Sequence, residues 1–275
     1  MIKIYSTSWC PACVKAKKYL GLKGLAFSEI NVADAHEDRE EVLKQIQEAG
    51  VIGVLNCACS RKSLTTTNEL TLKYDFIYGA LGIHPSDAYD YNEDVRAEII
   101  EKANSNKKIL AIGEIGLDYY WEENPPREVQ KEVFRAQMKL ADELNLPVVI
   151  HDRDAHKDTL EIMKEFPNVI GVVHCFSGSV EFAKECIKLG YYIGFTGVLT
   201  FKNAKKLVDV CREIPAERML VETDCPFMAP VPFRGKRNKS DYIEYIIDKM
   251  SEIRGISGEE MNEILLNNKK RLFKI

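Results

Sequence analysis

From about residue 50 onward the chain alternates short, nearly continuous apolar runs with longer amphipathic stretches, and this alternation leaves few architectures open. The runs VIGVLNC, FIYGALGIH, ILAIGEIGL, PVVIH, VIGVVH, YYIGFTG and MLVETD begin near residues 51, 76, 109, 147, 169, 191 and 219. Runs this rich in Val, Ile and Leu fit strands covered on both faces, as the strands of parallel sheets are. Between most of them lie segments of helical period such as REVQKEVFRAQMKLADEL. Repeated strand–helix units predict an α/β fold around a parallel sheet. Seven strands invite an eighth, and LAFSEINV near residues 25–32, followed by EDREEVLKQIQEAG, offers it, so the expected fold is a (β/α)8 TIM-type barrel. Two helices close the chain, SDYIEYIIDKMSEI and SGEEMNEILLNNKKRLF, the second opened by Ser257 with Glu260 three residues on, a capping-box pattern.

The opening MIKIYSTSWCPACVKAKKYL holds a strand, a turn and a Lys-rich helix, one βα unit more than the barrel needs. The expected organisation is therefore an appended βα segment at 1–24 and a barrel domain at 25–275, with no Ser/Gly linker inside the latter. With 45% hydrophobic and 29% charged residues, disorder and low complexity are excluded. No apolar run of about 18 residues and no leader-like start occur, so a cytoplasmic protein without a membrane or stable protein partner is expected. A net charge of −4 supplies no global pull on nucleic acid, and a polyanion would have to be held by a local basic patch or a metal. The eight cysteines are expected as thiols rather than a disulfide framework. Cys57 and Cys59 alternate along one strand face, Cys175, Cys186, Cys211 and Cys225 read as core or near-core positions, and Cys10 and Cys13 alone have suggestive spacing.

A barrel enzyme places its chemistry at the carboxyl ends of its strands. There the sequence puts His84 after FIYGALGI, Glu114 within ILAIGEIGL, His151 at the end of PVVIH, His174 at the end of VIGVVH and Asp224 at the end of MLVETD. Imidazole and carboxylate delivered by five strands to one rim suit Zn, Mn, Mg or a similar divalent ion. Directly after the Asp224 strand, PVPFRGKRNKS carries Arg234, Lys236, Arg237 and Lys239, the local basic patch that an acidic chain needs for a polyanion. Tyr119, Tyr120, Trp121 and Phe176 follow two of the strand ends and are candidates to stack on unpaired bases.

Over residues 38–275 the segments GIHP, GEIGLDYY, IHDRDA, HCFSG, ETDCP and RGKRN occur in an order and spacing that resemble the TatD-type metal-dependent deoxyribonucleases of the amidohydrolase-like barrel group. The resemblance implies a hydrolase that cuts phosphodiester bonds in DNA with two divalent ions (Mg, Mn or Zn), acting 3′–5′ on single-stranded ends. It implies that Glu114 bridges the ions, that His151 and His174 hold one, and that Asp224 binds the other and serves as general base. By the same resemblance His84 and Arg153 contact phosphate near the scissile bond, and the basic loop adds Arg234, Lys236 and Arg237 as candidate substrate-binding residues. Family members begin their first barrel strand with a His-x-His pair that this sequence lacks, the nearest candidate being Asp34-Ala35-His36.

In place of that start, residues 1 to about 37 resemble the opening of a glutaredoxin, with Cys10-Pro11-Ala12-Cys13 at a helix N-terminus beside Lys15, Lys17 and Lys18. Two alternatives to the nuclease therefore follow: a thiol–disulfide oxidoreductase or redox-regulated protein working through Cys10 and Cys13, and a catalytically impaired barrel without its first metal ligands.

Overall fold

The computed structural model describes the backbone of Ile2–Ser6, Phe27–Asn31 and 43–275, and side chains from residue 43 onward. The chain forms two compact units, Met1–Val51 and Ile52–Ile275. In the first, β1 (Ile2–Ser6) and β2 (Phe27–Asn31) pair in parallel, from Ile2 opposite Phe27 to Ser6 opposite Asn31. The run LAFSEINV, expected as the first barrel strand, is thus the partner of β1 in a two-stranded sheet. A parallel pair needs a crossover of about a dozen residues or more, and residues 7–26 supply that length within the segment itself.

The second unit runs β3 (Val54–Cys57), α1 (Arg61–Lys73), β4 (Ile77–Leu81), α2 (Glu93–Ser105), β5 (Ile109–Asp118), α3 (Arg127–Leu144), β6 (Val148–Arg153) and α4 (His156–Glu165), then β7 (Gly171–Val173), α5 (Val180–Lys188), β8 (Tyr192–Phe195), α6 (Lys205–Glu213), β9 (Met219–Val221), α7 (Ile243–Arg254) and α8 (Gly258–Phe273). The seven strands from β3 to β9 pair in parallel, in sequence order. Leu55, Ala80, Ala111, Val149, Val172, Tyr192 and Leu220, one from each of these strands, meet in a single cluster with Leu272 and Phe273 of α8. One residue from every strand can meet the others only if the sheet curls on itself, which makes this a barrel of the (β/α)8 type with seven strands among the described residues.

Helices cover the outer face. In α3 the buried Phe134, Met138 and Ala141 follow the helical repeat and join the outer core. Burying a side chain such as Phe134 is worth about 1.5–3 kcal/mol. The same helix buries two glutamines that bind loop backbone at the strand ends: Gln137 Oε1 accepts from Ile83 N at 2.8 Å and its Nε2 donates to Ile83 O at 2.9 Å. Gln130 Oε1 accepts from Asp118 N at 2.8 Å and its Nε2 donates to Asp118 O at 3.0 Å. Both ends of each buried amide bind backbone, so the chain next to His84 and at Asp118 is held in place from the helix layer. At α8 the Ser257 side chain accepts from Glu260 N at 3.1 Å, the N-cap half of the capping box the sequence predicts. Of the cysteines expected in or near the core, Cys186 and Cys211 are buried and Cys57, Cys59 and Cys175 half-buried, whereas Cys225 is exposed because it lies in the loop beyond β9 rather than in the strand.

Candidate metal centre

The polar residues read from the strand ends converge. Glu114 Oε1 lies 2.8 Å from His151 Nδ1, 3.6 Å from His174 Nε2 and 3.9 Å from His84 Nε2, while Asp224 Oδ1 lies 3.8 Å from His174 Nε2. Backbone pairing sets this geometry: His174 N donates to Ile150 O and Glu222 N to Phe195 O, each from one strand end to its neighbour, and Glu114 N, within β5, donates to Ala58 O just beyond β3. The close approach of β5 to β6 needs glycine at 116, with φ +139° and a would-be Cβ 2.0 Å from His151 O. Three groups offer ligand atoms within 4.8 Å of one another: Glu114, His151 and His174; His84, Asp118 and His151; and His174, Cys175 and Asp224.

The three imidazoles differ in protonation. His84 Nδ1 accepts from the Ser86 amide at 3.1 Å, so a neutral ring carries its proton on Nε2, which faces the cluster. Burial and the neighbouring His151 pull its pKa down to about 4 and keep it neutral. His174 Nδ1 donates to Glu222 Oε2 at 2.7 Å, which turns Nε2 towards Glu114 and Asp224, the carboxylate–histidine arrangement that prepares a ring nitrogen for a metal. Burial lowers the His174 pKa, but Glu222, Glu114 and Asp224 together hold it well above the ordinary value. His151 sits between two carboxylates, Glu114 at 2.8 Å and Asp118 at 3.2 Å. Against the pull of burial, those hydrogen bonds push its pKa up to about 9. Burial works to raise Glu114, yet His174, the His151 bond and His84 outweigh it and keep the carboxyl well below its usual range. Asp224 is the exception among the acids: burial, aided by Glu114 and Glu222 and opposed by His174, raises it to about 6. Partly buried oxygen and nitrogen donors with ionised carboxylates between them match what a divalent ion of the Zn or Mn class takes up.

Asp118 and Glu222 join the cluster although the strand-end pattern does not single them out. Both lie inside the quoted motifs, and Glu222 shares a strand face with Asp224 by the two-residue repeat, a signal available beforehand. Glu222 also accepts from Cys175 N at 2.6 Å, and its place depends on Gly194, where a Cβ would stand 2.4 Å from Glu222 Oε1. Cys175 (φ 45°) and Asp224 (φ 52°) both adopt the left-handed backbone region, which is costly for side chains other than Asn, Asp and Gly.

Around this cluster runs an exposed rim. The Arg153 guanidinium lies 4.1 Å from the Tyr120 ring centre and 5.5 Å from that of Trp121, and Tyr120 is 52% exposed. Arg234, Lys236 and Arg237 project from the loop after β9, with Arg234 over the Phe201 ring at 4.3 Å. Asn238, 2% exposed, pins that loop beside Asp224 by donating to Thr223 O at 2.7 Å and Phe227 O at 2.6 Å. Two of the four stacking candidates are corrected. Phe176 is 4% exposed and stacks on Phe182, and Tyr119 donates its hydroxyl to Asp158 Oδ2 at 2.8 Å beneath Arg127, so both are committed to packing. Cys10, Cys13, Asp34 and His36 lie outside the described residues.

Comparison with known proteins agrees with this geometry. The TatD related DNase family matches residues 28–274, and the glutaredoxin family matches residues 2–51, further than the first 37 residues on which that resemblance was read. An uncharacterized metal-dependent hydrolase of Bacillus subtilis (strain 168), YabD, is 45% identical over 250 residues, covering 90% of this chain and 97% of the relative. A protein of Pectobacterium parmentieri (strain WPP163) named 3′-5′ ssDNA/RNA exonuclease TatD is 34% identical over 247 residues, covering 87% of this chain and 94% of the relative. The crystal structure of YJJV, a TatD homologue from Escherichia coli K12, superposes with a TM-score of 0.81 at 31% identity, covering 87% of this chain and 93% of that one. A family match across nine-tenths of the sequence, over a barrel whose strand ends bring acids and imidazoles together, places the chain in the TatD-related DNase family of metal-dependent hydrolases.

Proposed function

We propose that the Ile52–Ile275 unit is a two-metal phosphodiesterase that removes nucleotides from the 3′ ends of single-stranded DNA. The observation that carries this reading is the convergence of Glu114, His151, His174 and Asp224 from four strands within hydrogen-bonding to near-contact distances. Glu114 would bridge the two ions, His151 and His174 would hold one, and Asp224 the other. Bound divalent ions supply Lewis acidity to the phosphoryl oxygens and lower the pKa of water.

The chain's own residues account for the remaining requirements. Asp224, with its carboxyl raised to about 6, is ionised at neutral pH yet basic enough to take a proton from the attacking water at its carboxylate. His84 keeps a neutral Nε2–H facing the cluster, a donor for a phosphate oxygen. Arg153, stacked on Tyr120, presents further donors to phosphate while the exposed Tyr120 ring offers a face to an unpaired base. Arg234, Lys236 and Arg237 would follow the backbone of the strand beyond the scissile bond. The activity named for the Pectobacterium relative supports the same polarity and a single-stranded substrate, with RNA as the competing polymer.

The test is hydrolysis of end-labelled single-stranded DNA and RNA by purified protein with Mg, Mn or Zn and with chelator, beside Asp224→Ala. Metal-dependent shortening from the 3′ end, lost in the variant, is the expected outcome. No cleavage with any of the ions, or undiminished cleavage by Asp224→Ala, overturns the reading.

The glutaredoxin match over residues 2–51 favours a second activity in the first unit, thiol–disulfide exchange through Cys10 with Cys13 as the resolving thiol. A Cys10 pKa at or above the ordinary value of about 8.5 would count against it.

A further inference from the structure

Cys59 has no role in the reading above, although it stands against its central carboxylate. Glu114 Oε1 takes the His151 hydrogen bond, and the other oxygen, Oε2, lies 3.6 Å from Cys59 Sγ. Two donors on one tetrahedral zinc-class ion, with a metal–sulfur bond of about 2.3 Å and a metal–oxygen bond of about 2.1 Å, stand about 3.6 Å apart. The observed separation fits shared coordination, and without an ion it is spanned by an S–H···O hydrogen bond.

The position of Cys59 is also built rather than incidental. Its N–H donates to Ser63 Oγ at 2.9 Å, and its carbonyl accepts from His84 N at 2.9 Å. The preceding carbonyl, that of Ala58, accepts from Glu114 N at 2.8 Å. Ser63 is in turn locked to Ser60 by the capping box that opens α1. The thiol is therefore carried on a backbone bonded directly to two of the strand-end residues of the site. Along β3, Leu55 and Cys57 belong to the inner barrel cluster, and Cys59 follows two residues beyond the carboxyl end of that strand. Cys175, the other thiol near the centre, stands with His174 and Asp224 rather than with Glu114, and its Sγ lies 3.4 Å from Met228 Sδ.

We infer that Cys59 is a metal ligand of this centre, sharing an ion with Glu114 Oε2 and biasing the site towards zinc-class cations over magnesium. The inference rests on the metal-centre reading and adds a soft donor to it. In the absence of an ion the S–H donates to Glu114 Oε2; on binding, the sulfur–hydrogen bond breaks, a sulfur–metal bond forms and one proton is released to solvent. Thiolate selects zinc and cobalt over magnesium, whereas carboxylate and water suit magnesium and manganese.

Cobalt(II) titration of the full-length protein, with Cys10→Ser and Cys13→Ser in the background so that the first unit contributes no thiolate, reads the ligand directly. A thiolate-to-cobalt charge-transfer band in the near ultraviolet is expected, lost in both Cys59→Ala and Cys59→Ser while the ligand-field bands of bound cobalt remain. Cys59→Ser keeps the size of the side chain and guards against misfolding, which far-ultraviolet circular dichroism checks. Zinc affinity should fall at least about tenfold in both variants, with magnesium affinity changed much less. Cobalt bound without a charge-transfer band, or a band that survives in both Cys59 variants, overturns the inference and leaves the metal centre standing. No cobalt uptake at all, with Glu114→Gln indistinguishable from the parent, overturns the metal centre and this inference with it.

Discussion

The acid–imidazole cluster and the cationic rim around it lie within the same strand-end surface but are held in opposite ways. In the cluster each imidazole has a partner behind it: Glu222 behind His174, Asp118 behind His151, Ser86 behind His84. On the rim, Arg153, Arg234 and Lys236 lie over aromatic faces, and Arg237 is exposed on the same loop, which Asn238 fastens. Groups that must meet at fixed separation are bonded to their neighbours, whereas groups that meet a flexible polymer keep freedom at the tip and are anchored at the base. The difference teaches that substitutions in the cluster should act on metal binding and turnover, and those on the rim on affinity and its salt dependence.

The largest effect is expected at Glu114. Glu114→Gln should reduce metal-dependent hydrolysis to below about one-thousandth of the parent rate, since it removes the charge on which the cluster is centred. A variant retaining a tenth of the rate would break the cluster's claim to be the catalytic centre. Next comes Glu222→Gln, which leaves the ring of His174 without its ionised partner. Metal affinity measured by calorimetry should drop about 10- to 100-fold. Gly194→Ala should move in the same direction, because the added methyl meets Glu222 Oε1. If both leave affinity untouched, His174 is not oriented through Glu222.

On the rim, Lys236→Ala and Arg237→Ala should raise KM and leave kcat within about twofold. Each should lower the slope of log affinity against log salt on single-stranded DNA by about 0.7. A fall in kcat without a change in slope would erase the distinction between rim and cluster.

The smallest expected effect is the pH dependence of stability without metal. The His151 pKa stands at about 9 in the folded protein against an ordinary 6.5, so the folded state binds this proton more tightly. The stabilisation is complete below pH 6.5 and is lost as pH rises through about 9. His174 shifts in the same direction. The Tm of chelated protein should therefore decline across that window, and decline less in His151→Asn. A flat profile in the parent would show that the two carboxylates do not hold the ring as an imidazolium.

Much of this was legible in the amino-acid sequence. Each of the seven strands from β3 to β9 appears as an apolar run, and His84, Glu114, His151, His174 and Asp224 could be read at their ends, because strand burial and two-residue alternation are local patterns. LAFSEINV was not legible in the same way: its composition says strand, but which neighbour it pairs with depends on competing partners, and the neighbour is β1. Phe176, Tyr119 and Tyr120 are equally aromatic and equally close to strand ends, yet only Tyr120 turns outward, since Phe182 and Asp158 claim the other two.

The sequence by itself determined the strand–helix alternation, the list of chemical groups and the motifs that carry the family, because hydrophobic period and residue identity are properties of the chain. Tertiary structure alone decided which of those groups touch. The pairing of Glu222 with His174, the seat of His151 between Glu114 and Asp118, and the 3.6 Å approach of Cys59 to Glu114 all join residues from different strands. Such distances follow from sheet register and curl, which arise from the packing of all seven strands at once.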